Sequence, residues 1–459
     1  MNFEQYFTGL RGKRIAVLGL GVSNRPLVRM LLNHGCSVTG CDATPYENLD
    51  EDVLDLERAG CRLKTGEDYL KDLHADVVFR TPGMHPDRPE LKALRDAGAE
   101  MTSEMEAFFG VCPCPIIAVT GSDGKTTTTT LISELLKQAG HTVWLGGNIG
   151  TPLLPKAAEM KETDFAVVEL SSFQLMYFRH SAHIAVITNL APNHLDVHRD
   201  MEEYVSAKEN IYLSQGAEDV LILNMDNAIT HAFREKAPGT CLEFSRQGIP
   251  AEGVYLKDGI IYQIRDGKTA ELLRQSDILL PGIHNVENYM AAICALQGLV
   301  STDDIRYVAQ HFGGVEHRIE LVRVKDGVSF YNDSIASSPS RTIAGLRSFP
   351  QKTILIAGGY DKHIPYDELG PEICRHVKLL VLTGATAPKI REAVINAPEY
   401  RDGAPEMLEI EDFSEAVHTA AAKAKPGDAV LLSPASAAFD KFKNFMVRGR
   451  FFKELVNNL

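Results

Sequence analysis

Residues 118–130 read AVTGSDGKTTTTT, a small apolar run, a glycine-lysine turn and five consecutive threonines. β-Branched threonines lose rotamer freedom in a helix, so helix stability does not select five of them. Phosphate chemistry does. Gly121 and Gly124 let backbone amides of Ser122 and Asp123 close on phosphate oxygens. Lys125 reaches the terminal phosphates, and the Thr126 or Thr127 hydroxyl is placed to bind Mg²⁺. Val119 stands where the full phosphate-loop pattern has its first glycine. The remainder fits, and ATP is the expected ligand.

Other residues could join this chemistry. Glu169 ends the apolar run DFAVVE; a buried carboxylate there needs a cation or hydrogen-bond donors. It reads as a Mg²⁺ ligand or as a satisfied strand end. His194, Asp196 and His198 cluster after another apolar run, with Lys208 beyond them, a position that by itself reads as a surface lysine. Asn285 and Asn288, three apart, share a helix face and read either as nucleotide contacts or as helix caps. Near the start, GLGVSN places Gly19, Gly21, Val22 and Ser23 in a turn, and Asp42 follows a second strand. Asn24 replaces the third glycine of a dinucleotide fingerprint, which favours a nucleotide-like ligand other than NAD.

These groups need strands to end beneath them. Strand-like runs fall at Ile15–Leu18, Val77–Phe79, Ile116–Val119, Ala166–Val168, Ile184–Thr188, Val220–Leu223, Thr353–Ala357, Leu379–Leu382 and Ala429–Leu432. Their alternation with helical patterns predicts an α/β fold with largely parallel sheets. At about 150 residues per domain, 459 residues make roughly three. Ser103 and Glu106 have capping-box spacing where the first block closes. The expected segments are 1–102, 103–313 and 314–459. A net charge of −14 argues against a nucleic-acid or anionic-membrane surface, and no apolar run has the length of a membrane span. Eight scattered cysteines form no zinc spacing or disulfide framework, so a reducing, cytoplasmic setting is expected.

Taken together, TGSDGKTT, GGNIG, ELSSFQL, NHLD with SAK, GIHNVEN, EHRIE, YNDS and LLSPASAAFDKFKNF, in this order, resemble the Mur ligase family of ATP-dependent amide ligases. The resemblance runs through nearly the whole chain. It implies a Rossmann-like N-terminal domain, a central phosphate-loop ATPase domain and a Rossmann-like C-terminal domain that closes over the nucleotide. It implies ATP on Gly121, Ser122, Asp123, Gly124, Lys125, Thr126 and Thr127, with Asn285, Arg318 and Asp333 as further nucleotide contacts. Two Mg²⁺ ions are implied, held by Thr126, Glu169, His194 and Lys208, the last carbamylated by CO₂. The catalytic residues it implies are Lys125, His194 and Lys208.

The UDP-sugar side would use Gly21, Val22, Ser23, Asp42, Asn148, Ser172 and Gln174. ELSSFQL and SPASAAFDKFKNF look most like the members that add D-glutamate to UDP-N-acetylmuramoyl-L-alanine. An acceptor with two carboxylates needs cations or N–H donors. Ile335 and Ala438 stand where those members carry Lys and Ser, and Ser337 replaces Thr. Lys362 and Ser337 are therefore expected acceptor contacts, with Lys441 and His363 as further candidates; Phe439 and Phe445 are expected beside them. A monomer is expected. The alternatives are a Mur-type ligase with another acceptor, a nucleotide-dependent oxidoreductase resting on GLGVSN, or a non-catalytic ATP switch.

Overall fold

A computed structural model describes residues 2–192, 197–362 and 364–459; His194, with Asn193 and Asp196, and His363 lie outside the described residues. The chain forms two compact units, Met1–Ser276 with Val286–Val308, and Asp277–Asn285 with Ala309–Leu459.

The first unit holds two sheets. One contains β1 (Arg14–Leu18), β2 (Ser37–Asp42), β3 (Arg62–Thr65), β4 (Val77–Arg80) and β5 (Glu100–Thr102). It is entirely parallel, in the order β3-β2-β1-β4-β5. Strand order reverses between β1 and β4, where open α/β sheets take their ligands. The other contains β6 (Ile116–Thr120), β7 (Val143–Gly147), β8 (Phe165–Glu169), β9 (Ile184–Ile187), β10 (Val220–Asn224), β11 (Thr240–Ser245), β12 (Gly253–Lys257), β13 (Ile260–Arg265) and β14 (Lys268–Arg274). Its order is β14-β13-β12-β11-β10-β9-β6-β8-β7, with only β12-β13-β14 antiparallel. β6 sits between β8 and β9, so the loop after β6 lies between the ends of both neighbours. Parallel strands covered on both faces need continuous apolar runs, and every residue of β6 is buried.

The second unit holds β15 (Glu320–Lys325), β16 (Val328–Asn332), β17 (Thr353–Ala357), β18 (Val377–Leu382), β19 (Glu406–Glu409) and β20 (Ala429–Leu432). The order is β15-β16-β20-β17-β18-β19, with only β15 antiparallel. Alternation builds two cores. Leu355, Ala357, Leu380, Leu382 and Leu431 face one side, and Ile354, Ile356, Leu379, Val381, Val430 and Leu432 face the other.

All nine expected strand runs are strands, and the α/β fold with parallel-rich sheets is the observed one. β11 to β14 were not among the expected runs. Ser103 caps the helix Glu104–Val111 by accepting from the Glu106 N–H. Among the described residues, no helix is long and apolar enough to cross a membrane.

Candidate active site

The phosphate loop forms where the sequence places it. β6 ends at Thr120, and the helix Lys125–Gln138 begins immediately after Gly124. Gly124 has φ +78°, a left-handed conformation costly for any residue with a Cβ. Gly121 is fixed by space as well: a Cβ there would come within 1.9 Å of Thr188 Oγ1. The threonines are helical, and their hydroxyls explain how. Thr129 and Thr130 donate back to the carbonyls of Lys125 and Thr126, each at 2.8 Å. Thr128 donates to Asn288 Oδ1 (3.3 Å). Thr127 is half-buried. Thr126 is the one that turns to the site, donating to Glu169 Oε2 (2.7 Å).

Glu169 is the hub. It closes β8, is 1% exposed, and its other oxygen accepts from Asn148 Nδ2 (2.7 Å). Asn148 is held by its own N–H on the Glu169 carbonyl (2.8 Å). Lys125 Nζ donates to the carbonyls of Gly121 (2.9 Å) and Ser122 (2.8 Å). Ser122 Oγ lies 2.8 Å from the Tyr204 hydroxyl. The Asp123 carbonyl accepts from Thr188 Oγ1 (2.5 Å).

Lys208 lies on the helix Met201–Glu209, beside the loop and not on the surface. It is 1% exposed. Its Nζ donates to Thr120 Oγ1 (3.1 Å) and to the Gly121 carbonyl (2.9 Å), and sits 4.9 Å from the Tyr204 ring centre. Burial drives its pKa well below that of an ordinary lysine. The nearby Lys125 charge adds to the fall, and Glu169 opposes it. The amine is thereby turned towards its neutral, nucleophilic form.

Ser172 and Gln174 lie on a short helix after β8. Gln174 Oε1 accepts from the Ser171 N–H (3.0 Å), completing a capping box. Ser172 Oγ is 2.8 Å from His198 Nε2, and that ring stacks on Phe173. In the first sheet, Gly21, Val22 and Ser23 form the turn into the helix Asn24–Asn33, with Val22 77% exposed. Asp42 accepts from the N–H groups of Leu20 (2.7 Å) and Thr44 (2.9 Å). Burial raises its pKa, but those donors outweigh it and hold the carboxyl below its usual value.

The remaining expected residues lie in the second unit. Asn285 donates to the Pro281 carbonyl (2.6 Å), and Arg318 sits in a bridge with Val315. Asp333 is buried, accepts from Ser433 Oγ (2.7 Å), and is pushed up to about 7 by burial. Lys362 is exposed. Ser337 follows β16, Phe439 is exposed with an edge contact to Tyr360, and Phe445 opens the helix Phe445–Asn458 against His317. Lys441 donates to the Glu411 carbonyl.

Sequence reading missed Arg448. It is 2% exposed and donates to Ser334 Oγ (3.0 Å) and to the carbonyls of Ser334 (3.0 Å), Ser436 (3.1 Å) and Ala437 (3.1 Å). It thus ties the loop after β16 to the loop after β20, between which Ser337 and Phe439 are carried. Burial lowers its pKa to about 10. Arg80 plays a similar part in the first unit, donating to the carbonyls of Met84, Phe173 and Met176. No local motif marks either residue, because their partners are backbone carbonyls brought together only by folding.

Residues 119–296 match the Mur ligase middle domain, and residues 317–436 match the Mur ligase, glutamate ligase domain. The UDP-N-acetylmuramoylalanine–D-glutamate ligase of Acetivibrio thermocellus is 53% identical over 455 residues, covering 98% of this chain and 97% of its own. The enzyme of the same name from Ruminiclostridium cellulolyticum is 50% identical, covering 100% and 99%. Two solved structures share the fold: Thermotoga maritima UDP-N-acetylmuramate–alanine ligase (17% identity, TM-score 0.56, covering 97% and 99%) and the MurF ligase of the same organism in complex with ADP (18%, 0.52, covering 92% and 96%).

Proposed function

The chain belongs to the Mur ligase family, and from that premise we propose how its residues carry the family's reaction on one pair of substrates. It is an ATP-dependent amide ligase that joins D-glutamate to UDP-N-acetylmuramoyl-L-alanine in peptidoglycan precursor synthesis, releasing ADP and phosphate. The observation that carries the reading is Glu169, a buried carboxylate held between the phosphate-loop hydroxyl of Thr126 and the amide of Asn148.

A carboxylate has no good leaving group, so the L-alanine carboxylate first takes the ATP γ-phosphoryl. The D-glutamate amine then attacks that acyl phosphate, and phosphate leaves. The first step brings anions together; at about 4 Å and an effective dielectric near 20, each pair of unit charges repels by about 4 kcal/mol. Lys125, the loop amides of Gly121 to Gly124 and the positive end of the helix Lys125–Gln138 oppose that repulsion. The donor set also suits magnesium, because Thr126 and Glu169 offer hard oxygen ligands at the phosphate loop. Thr126 and Glu169 would hold one ion, and His194 with carbamylated Lys208 the other. Bound Mg²⁺ would neutralise phosphate oxygens as charge moves to the leaving ADP. The depressed pKa of Lys208 supports carbamylation, since only a neutral amine adds to CO₂, losing a proton as the carbamate forms.

We propose three functional segments, 1–102, 103–313 and 314–459, a division that the presence of one sheet in each supports. Gly21, Val22, Ser23 and Asp42 would receive the uridine diphosphate at the β1/β4 reversal, with Asn148, Ser172 and Gln174 towards the sugar. Asn285, Arg318 and Asp333 are assigned to the nucleotide. Lys362, Ser337, Phe439 and Phe445 are assigned to the acceptor. We read the chain as a monomer, and its ATP and nucleotide-linked substrates support a cytoplasmic location.

The test is phosphate release with ATP, UDP-N-acetylmuramoyl-L-alanine and a panel of amino acids. D-Glutamate should support the fastest turnover. Lys362→Ala should raise its KM about ten- to a hundredfold, the worth of one hydrogen bond to a charged group, with ATP KM near normal. Faster turnover with L-alanine, L-glutamate or a diamino acid would overturn the acceptor assignment.

A further inference from the structure

Pro113 separates two cysteines in the link between the helix Glu104–Val111 and β6. Cys112 Sγ lies 3.5 Å from Cys114 Sγ and 4.0 Å from Met160 Sδ, so Cys112 meets a sulfur from its own segment and one from a distant segment. Cys114 and Met160 are buried and Cys112 is half-buried. None of the three has a part in the ligase chemistry. The two cysteines stand before β6, and the phosphate loop follows it. Five strand residues separate the two by about 17 Å.

We propose that Cys112, Cys114 and Met160 form a binding site for one soft, monovalent d¹⁰ cation of the Cu(I) class. Sulfur spacing is the first argument. Three ligands around one ion, with metal–sulfur bonds of about 2.3 Å, place their sulfurs about 4 Å apart, close to the 3.5 Å and 4.0 Å from Cys112 to the other two. Ligand type is the second. Two thiolates and a thioether are the donors that select soft cations, whereas Mg²⁺ takes oxygen and structural Zn²⁺ takes four Cys, His or carboxylate ligands. Among the described residues, the one group of three His, Cys, Asp or Glu placed to share an ion is His85, Asp87 and Glu203, which involves neither cysteine. Preorganisation is the third. Pro113 fixes its own φ between the two thiols, and Cys114 holds Cys112 through the sulfur contact. That contact lowers the pKa of Cys112 and raises that of Cys114. Binding would proceed by loss of the thiol protons to solvent as the two metal–thiolate bonds form.

The experiment uses the reduced full-length protein under nitrogen, titrated with Cu(I) against a chromophoric Cu(I) chelator. One equivalent per chain should be bound. Cys112→Ser should weaken it at least a hundredfold and Met160→Leu about tenfold, both with ATP-dependent phosphate release retained as proof of folding. Cys114 is buried, so should Cys114→Ser fail to fold, the other two variants decide. Unchanged affinity in Cys112→Ser would place the copper on other cysteines and overturn the proposal. Unchanged affinity in Met160→Leu would overturn the three-sulfur site. No copper retained under nitrogen, with two mass units lost only when air supplies the oxidant, would make the pair an oxidisable dithiol instead, which also overturns it.

Discussion

A lysine buried at 1% exposure, against one carbonyl that a second lysine also reaches, is an expensive arrangement for two ammonium ions. Lys208 and Lys125 both donate to the Gly121 carbonyl at 2.9 Å. Burial penalises the charged form of Lys208, and the Lys125 charge does so further. The arrangement becomes favourable once Lys208 carries a carbamate, because its charge is then negative and sits beside a cation. In ¹³CO₂-enriched buffer, wild type should show a carbamate carbon resonance that Lys208→Ala lacks. Lys208→Ala should lose at least a hundredfold in turnover and regain part of it with added short carboxylic acids. Absence of the resonance together with a fully active variant would remove Lys208 from the site. Its burial could not be read from the sequence, where Lys208 looks like any surface lysine on a helix. The spacing that identified Lys125 and Thr126 was local, whereas Lys208 reaches their loop only through the Gly121 carbonyl, 87 residues away along the chain.

Strands set the geometry one level up. β7 and β8 run side by side, with Gly147 opposite Glu169. A Cβ on Gly147 would fall 2.2 Å from the Glu169 carbonyl, which is backbone and cannot swing aside. The close approach brings Asn148 onto Glu169, so the second glycine of GGNIG positions the carboxylate hub without touching substrate. Gly147→Ala should therefore cost the left-handed strain of φ +100°, about 1–3 kcal/mol, and also displace Glu169, lowering kcat at least tenfold. Gly140→Ala is the control: φ is +89° there, yet nothing lies within 4 Å of the added Cβ. It should lose comparable stability in urea but keep its kcat. Equal kcat in both variants would show that Gly147 serves the turn alone. Strand positions were legible because apolar runs such as IIAVT need no partner to be recognised. The β11–β14 region was less legible: β14 is exposed along much of its length and β13 is mostly half-buried, and half-exposed antiparallel strands carry no continuous apolar run.

At the scale of the molecule, an acidic chain must bind polyanions through local features. The net charge of −14 repels nucleotides at a distance, and Debye screening limits that repulsion to roughly 8 Å at physiological salt. Within that range the glycine loop, Lys125 and a helix N-terminus decide the outcome. All of these lie in one of the two compact units, which contains about 300 residues. A ligand that binds only the folded form stabilises it by about 2.7 kcal/mol at a concentration of 100 Kd. For a unit of that size, an unfolding entropy of about 2.1 cal/mol/K per residue converts this into a rise of about 4 °C in Tm. Calorimetry should then resolve two transitions, because each unit has its own sheets and core. Mg-ATP at saturation should raise the transition of the phosphate-loop unit by at least that amount, and Lys125→Ala should abolish the rise while leaving both transitions in place without ligand. The second unit's transition can be identified independently with Arg448→Ala, which removes four hydrogen bonds from its loops and should lower that transition alone. A nucleotide shift confined to the transition lowered by Arg448→Ala would place the dominant ATP contacts in the C-terminal unit and contradict the phosphate-loop assignment.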